Sequence, residues 1–380
     1  MAIVLTLFFI AVLAIGCSPT SPRPMDNNTK TGEKTGPEKA EADQNRPDVL
    51  GSNKRVVMGF YVAGEGDIPS SKNSLTTNAK LLDEVSFFWY SFDSAGNIKN
   101  IAKQDLAAKS FAKRNNAKVY AVVHNMVAGQ GFSPGLAHSV LAPGVRTKFI
   151  QNIVNLAKTQ GWDGVAIDIE KAPPQDRGNF SAFIKELGAA LKAKDKVLNV
   201  SIPAKFIDYP KDLWSGAYDY TAIGKAADQV VIMSYDEHGL GTTAGPIASH
   251  DWVDKVIGFA TKKIPPQKIV MGIPVYGFDW GSKSPTVPAY VTFSQAQRTA
   301  KSKGVSITYD EETETPHFTF TERGIRHVVF FENQRSISVK LGYAKKHKIH
   351  GVAIWRMGME DPSIWSSVQS YYGTNRNVAK

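Results

Sequence analysis

The chain has 380 residues, 42% of them hydrophobic, which suits one large domain or two ordinary ones and is too long for a small stapled scaffold. Its 45 Lys and Arg against 35 Asp and Glu give a formal net charge of +10, which fits anionic wall polymers, lipid headgroups or acidic glycans as well as a plain solvated surface. The basic residues are spread rather than clustered, which argues against nucleic acid, and a single cysteine excludes a disulfide framework.

The first sixteen residues, MAIVLTLFFIAVLAIG, are uncharged and mostly apolar and are followed by CSPTSPRP. The run is short for a spanning helix and its far flank is polar and Pro-rich, so an export signal is expected. Cys17, just after the apolar run, resembles the cysteine of a bacterial lipoprotein signal, which is lipid-modified and becomes the new N-terminus. Residues 1–16 are therefore expected to be a signal peptide, Cys17 the lipidation site, and the mature chain an exported protein anchored to the membrane at the cell surface or envelope. An ordinary export signal with an incidental cysteine is the alternative. Residues 17–52 contain few aliphatic and no aromatic residues and cannot bury enough apolar area to offset their ordering entropy, so a flexible tether is expected there.

From Arg55 onward, short apolar runs alternate with amphipathic stretches. Strands are expected at 56–62, 84–92, 118–125, 164–170, 197–204, 229–236, 268–277 and 351–358. Between them, Phe149, Ile150, Ile153, Val154 and Ala157 recur at helical spacing, as do Phe180, Phe183, Ile184, Leu187 and Leu191. Nearly continuous apolar strands separated by helices indicate a parallel sheet covered on both faces. Eight such units predict an α/β fold, a (β/α)8 TIM barrel over residues 53–375; an open doubly wound sheet is the alternative, but no Gly-rich phosphate loop follows the first strand. Residues 280–340 are too long for one helix and read as a small α+β insertion after the seventh strand.

The stretch GWDGVAIDIEKAPP ends its apolar run in carboxylates. Residues two apart on a strand share a face, so Ala166, Asp168 and Glu170 point one way and Val165, Ile167 and Ile169 the other. The aliphatic set must face the helices, which turns the acids into the barrel. Two carboxylates at a low-dielectric mouth repel when both are ionised, so one is pushed toward the protonated form that a general acid requires. Barrel active sites also lie at the C-terminal ends of strands.

With MSYD at 233–236 and AIWRMG at 353–358 ending later strands, the chain resembles glycoside hydrolase family 18, the chitinases and related N-acetylglucosaminidases. DGVAIDIE carries the family's D-G-x-x-x-D-x-E signature at Asp163, Gly164, Asp168 and Glu170, and MSYD its M-x-Y-D signature. The stretch MSYDEHGLGTTAGPIASHDWV with KIVMGIPVYGFDW is similar to the bacterial branch of spore-cortex and peptidoglycan glycosylases. The resemblance covers about residues 55–370. It implies a retaining, substrate-assisted hydrolysis of β-1,4 linkages beside N-acetylglucosamine, without a cofactor and with no protein nucleophile. Mapped by motif, Glu170 is the proton donor, Asp168 orients the acetamido nitrogen, Tyr235 holds the acetamido oxygen, Asp236 contacts sugar or supports Glu170, and Trp355 forms the floor. Many members carry a further acid two residues before the catalytic aspartate, where this chain has Ala166; losing that neighbour should leave Asp168 more readily ionised.

Tyr61, Trp89, His124, Asn125, Tyr276 and Trp280 lie at or near expected strand ends and are candidates to line the sugar subsites. No metal is expected, since the eight histidines show no HxxxH or HxH spacing. The expected partner is an N-acetylglucosamine-containing polysaccharide, peptidoglycan or spore cortex, with chitin as an alternative, and the chain is expected to act as a monomer. A surface lectin that keeps the barrel without cleaving is the reading from another class, and retention of the acid and tyrosine set argues against it.

Overall fold

Aliphatic and aromatic runs build eight parallel strands: β1 (Val56–Tyr61), β2 (Glu84–Phe92), β3 (Lys118–His124), β4 (Gly164–Asp168), β5 (Val197–Pro203), β6 (Gln229–Met233), β7 (Ile269–Pro274) and β8 (Gly351–Trp355). Each pairs in parallel with its sequence neighbours, and β1 pairs with both β8 and β2, so the sheet closes into a barrel. The computed structural model describes residues 55–64, 67–281 and 286–372. The expected signal peptide, Cys17 and the tether fall on residues outside those described.

Two layers of core follow from the alternation along the strands. Val165 and Ile167 of β4 face outward and pack with Phe149, Ile153, Phe183, Ile184 and Leu187 from helices Pro143–Thr159 and Arg177–Lys192. Both expected helical stripes are thus core, each fully buried side chain of this kind contributing about 2 kcal/mol. Ala166, from the other face of β4, joins Met58, Phe60, Tyr120, Val122 and Val231 inside the barrel. A buried polar network lies below them. Glu84, at the start of β2, accepts hydrogen bonds from the Tyr120 hydroxyl at 2.7 Å and the Gln229 amide at 2.8 Å, and Asn199 donates to Gln229 at 3.0 Å.

Between β7 and β8 the chain leaves the barrel. Strands Tyr276–Asp279, Ala289–Thr292, Thr308–Asp310, Thr315–Glu322 and Ile325–Phe331 form a five-stranded antiparallel sheet. Helix Phe293–Lys303 lays Ala296 and Ala300 against Phe318, Phe320, Val329 and Phe331 of that sheet. The run expected as one strand over 268–277 is therefore two. Pro274 ends β7, the Val275 amide donates to the Trp355 carbonyl at 3.0 Å, and Tyr276 opens the second sheet. Hydropathy cannot see this junction, because both strands are buried. The strands expected over 164–170, 229–236 and 351–358 stop at Asp168, Met233 and Trp355, leaving Glu170, Tyr235 and Asp236 on the turns that follow.

Candidate active site

The site is built where β4, β6 and β8 end. Asp168 is the last residue of β4, paired in register with His124 of β3 and on the same face as Ala166, so it points into the mouth. Glu170 lies two residues further, off the strand, and its turn needs other means of fixation. Two buried side chains supply them. Asn125 accepts the Glu170 N–H at 2.9 Å and donates to the Glu170 carbonyl at 2.8 Å and the Ser133 carbonyl at 2.9 Å. The Tyr218 hydroxyl donates to the Ile169 carbonyl at 2.9 Å and accepts the Ala172 N–H at 3.2 Å. Lys171, between them, takes a left-handed φ of 54°, a conformation that a non-glycine residue adopts only when its surroundings hold it there.

Burial dominates the electrostatics. It pushes the Asp168 carboxyl up to about 7. Glu170 is raised well above the usual carboxylate range, first by burial and then by the charges of Asp168 and Asp236, with Lys171 opposing. Such surroundings favour the protonated form of the carboxyl, from which a proton can be given away. Burial causes the rise at Asp168, and Ala166 puts an apolar interior rather than a second charge two residues before it.

Tyr235 follows the end of β6. Its phenol is raised by burial and then by the charges of Asp168, Glu170 and Asp236, which places it among the three acids. Gly272 of β7 makes room for the ring: a Cβ there would meet Tyr235 Cε1 at 2.8 Å and the Ile232 carbonyl at 2.8 Å. Asp236, at a left-handed φ of 60°, is open to solvent yet so closely ringed by protein that burial pushes it up to about 6, with the Tyr276 hydroxyl hydrogen-bonded to Oδ1 and pulling the other way. A group both accessible and enclosed marks the wall of a cleft. Trp355 closes the bottom, its ring set edge-on to Phe60 at 5.2 Å and to Phe88 at 5.7 Å.

The structure thus brings Asp168, Glu170, Tyr235, Asp236 and Trp355 together, and gives other candidates different work. Tyr61 and Trp89 do not line the mouth. Strand alternation turns both outward, where they pack with Phe87 and Trp162 under the helices, and Tyr61 hydrogen-bonds Asp105 at 3.1 Å. Asn125 is not free for sugar, since its amide is spent on the Glu170 turn. Tyr276 is buried and spends its hydroxyl on Asp236, so it supports that acid rather than presenting itself to a ligand. His124 stacks on Phe88 at 3.9 Å and accepts the Met126 N–H, and burial pushes its imidazole down to about 3, so it stays neutral. Trp280 is buried in the insertion with its indole N–H on the Thr242 carbonyl.

Three contributors were missed. Phe60 and Phe88 were open to discovery, because alternation from their neighbours puts them inside. Tyr290 had no signal: it comes from the insertion, rests on Phe278 at 4.6 Å and Tyr276 at 5.3 Å, and stands half exposed within electrostatic reach of Asp236, Glu170 and Arg356.

A carboxylic acid kept protonated by burial above an aromatic floor, at the C-terminal mouth of a parallel barrel, is the equipment of a sugar-cleaving barrel enzyme. Known proteins of similar sequence and structure give the same class. The chain belongs to the glycosyl hydrolases family 18, whose profile matches residues 56–360, and it is a glycosidase. It is 32% identical over 329 residues to the uncharacterized glycosylase YvbX of Bacillus subtilis, covering 83% of this chain and 95% of that one. It is 31% identical over 320 residues to the cortical fragment-lytic enzyme of Bacillus anthracis, covering 82% and 74%. Among solved structures, a chitinase from Chromobacterium violaceum superposes with a TM-score of 0.77 at 30% identity, covering 84% of this chain and 99% of that one. The spore cortex-lytic enzyme SleL of Bacillus megaterium superposes with a TM-score of 0.75 at 27% identity, covering 84% and 75%.

Proposed function

We propose that this protein hydrolyses β-1,4 linkages beside N-acetylglucosamine in peptidoglycan or spore cortex, with retention and with the substrate's own acetamido group as nucleophile. The observation that carries the reading is the buried Glu170 carboxyl, its pKa raised by burial and by the charges of Asp168 and Asp236, at the barrel mouth with Tyr235 beside the same acids. In the first step the acetamido oxygen attacks the anomeric carbon, the glycosidic C–O bond breaks, and the Glu170 proton passes to the departing oxygen. Asp168 faces the acetamido nitrogen as it becomes positive, and Tyr235 holds the acetamido oxygen in line. Trp355 packs under the apolar face of the reacting sugar. In the second step Glu170, now a carboxylate, takes a proton from water as that water opens the oxazolinium ring.

Similarity to cortical fragment-lytic enzymes and to SleL supports the wall polymer; similarity to a chitinase keeps chitin as the second substrate. Under the same reading the chain is exported and held at the envelope through a lipid on Cys17, which fatty-acid labelling of the wild type and of Cys17→Ser would test. The test of function is release of reducing ends from purified sacculi and from chitooligosaccharides. Release by the wild type with none by folded Glu170→Gln is the expected result, and no release from either substrate by the wild type removes the reading.

A further inference from the structure

Of the eleven large hydrophobic side chains that stand exposed among the described residues, five lie on one loop, the segment between β5 and helix Tyr220–Ala226. They are Phe206, Ile207, Tyr209, Leu213 and Trp214, between 49% and 76% exposed. An apolar cluster of this kind on a rigid support marks a binding surface more often than a scatter of single residues does.

The base of this loop is stapled. Lys205, itself 5% exposed, donates to the Tyr218 carbonyl at 2.6 Å and to Asp208 at 2.9 Å. Arg177 forks onto Asp208 at 2.8 and 3.2 Å, reaches the Gly216 carbonyl at 2.8 Å and lies 3.0 Å from Asp219. Lys205 and Tyr218 are thus turned in and Asp208 is paired at the base, while the five apolar side chains are turned out. A loop with only its own packing to serve would arrange the two the other way round.

Its position says what it faces. Tyr218, at the end of the loop, is hydrogen-bonded to the backbone on both sides of Glu170, and the Lys171 ammonium lies 6.0 Å over the Trp214 ring. The apolar surface therefore begins one side chain away from the proton donor. Whatever leaves with the proton from Glu170 departs past that donor, so the part of the substrate beyond the cut is the component in reach of the loop.

We propose that the exposed aromatic side chains of this loop, Trp214 with Tyr209 and Phe206, serve as a platform for the leaving-group side of a glycan chain, so that the enzyme grips a polymer several sugars beyond the bond it cuts. The inference rests on the glycosidase reading and narrows it to long chains over disaccharides. Sugar rings pack their apolar C–H faces on aromatic rings, and the rigid base keeps the ordering cost of binding low.

The test uses Trp214→Ala in two settings. Binding to insoluble sacculi and chitin is measured by sedimentation in the Glu170→Gln background, with and without the loop change. Turnover is measured in the otherwise wild-type enzyme on the polymer and on a fluorogenic chitobioside whose leaving group is a single small aromatic. The expected result is about a tenfold loss of polymer affinity and of polymer kcat/KM, carried by KM, with chitobioside turnover unchanged. Unchanged polymer binding overturns the proposal, as does an equal loss on both substrates, which would mean that the loop acts through Glu170. Loss of binding to vesicles of anionic phospholipid, with polymer binding intact, also overturns it and makes the patch a membrane contact. A wild type that cleaves nothing would refute the glycosidase reading, while the binding arm still judges the platform. Far-UV circular dichroism and a thermal melt establish that each variant is folded.

Discussion

Asn125 offers the sharpest separation of positioning from contact. Its three hydrogen bonds hold Glu170 N–H, the Glu170 carbonyl and the Ser133 carbonyl in a buried site. Replacing it with alanine removes roughly 1 kcal/mol of net stabilisation for each bond, so about 3 kcal/mol in all, and somewhat more if the abandoned groups stay dry. The larger effect falls on the chemistry. Glu170 follows Asp168 off the end of β4, so without the clamp only Tyr218 fixes its turn, and a displacement of about 1 Å costs on the order of 100-fold in rate. Asn125→Ala should therefore lower kcat about 100-fold with KM changed by less than about threefold, because the sugar never touches this amide. Steady-state kinetics on a chitooligosaccharide, run below the unfolding temperature of the variant, give the split directly. An intact kcat with reduced stability would show that the clamp is structural only; a raised KM with intact kcat would return Asn125 to the substrate contacts.

Two further predictions concern protons. Glu170 must be protonated for the first step, so its raised pKa carries activity to higher pH than an ordinary carboxyl would and lets it fall as pH climbs through that raised value. Lys171 opposes the rise, so Lys171→Ala should move the basic limb of the kcat/KM profile to higher pH, and a shift the other way refutes the assignment. Glu84, fully buried in the barrel, has its carboxyl pushed up to about 7 from an ordinary 4.5 by lost hydration. A raised acid favours the protonated folded state, so its contribution is present below pH 4.5 and is lost as pH rises from 4.5 to 7, on the order of 3 kcal/mol in total. Glu84→Gln keeps an acceptor for Tyr120 and Gln229 without a charge. It should be more stable than the wild type at pH 8 and equal to it at pH 4 in urea unfolding; parallel pH dependences would show that Glu84 is not the titrating group.

The barrel was legible because its signal is collective. Eight apolar runs and two helical stripes repeat one unit, and burial on both faces leaves little polar interruption to confuse the pattern. The acids were legible because strand parity fixes the direction of Asp168 from that of Ile167. Parity stops working where the strand stops, so it could not say that Glu170 sits on a turn held by Asn125 and Tyr218, 45 and 48 residues away in the chain. Nearness to a strand end misled at Tyr61 and Trp89, where parity applied from their neighbours would have turned both side chains toward the helices. The insertion boundary and Tyr290 depend on pairing between distant segments, which hydropathy does not encode.

The central claim is that a neutral Glu170, with Asp168 and Tyr235 beside it, serves a nucleophile brought by the sugar. The most direct measurement compares two fluorogenic disaccharides that differ only at C2 of the reacting ring, one with an acetamido group and one with a hydroxyl, while proton NMR follows the anomer released. The account predicts cleavage of the acetamido substrate with the β anomer formed first, and no cleavage of the hydroxyl substrate. Equal rates on the two, or first release of the α anomer, would contradict it.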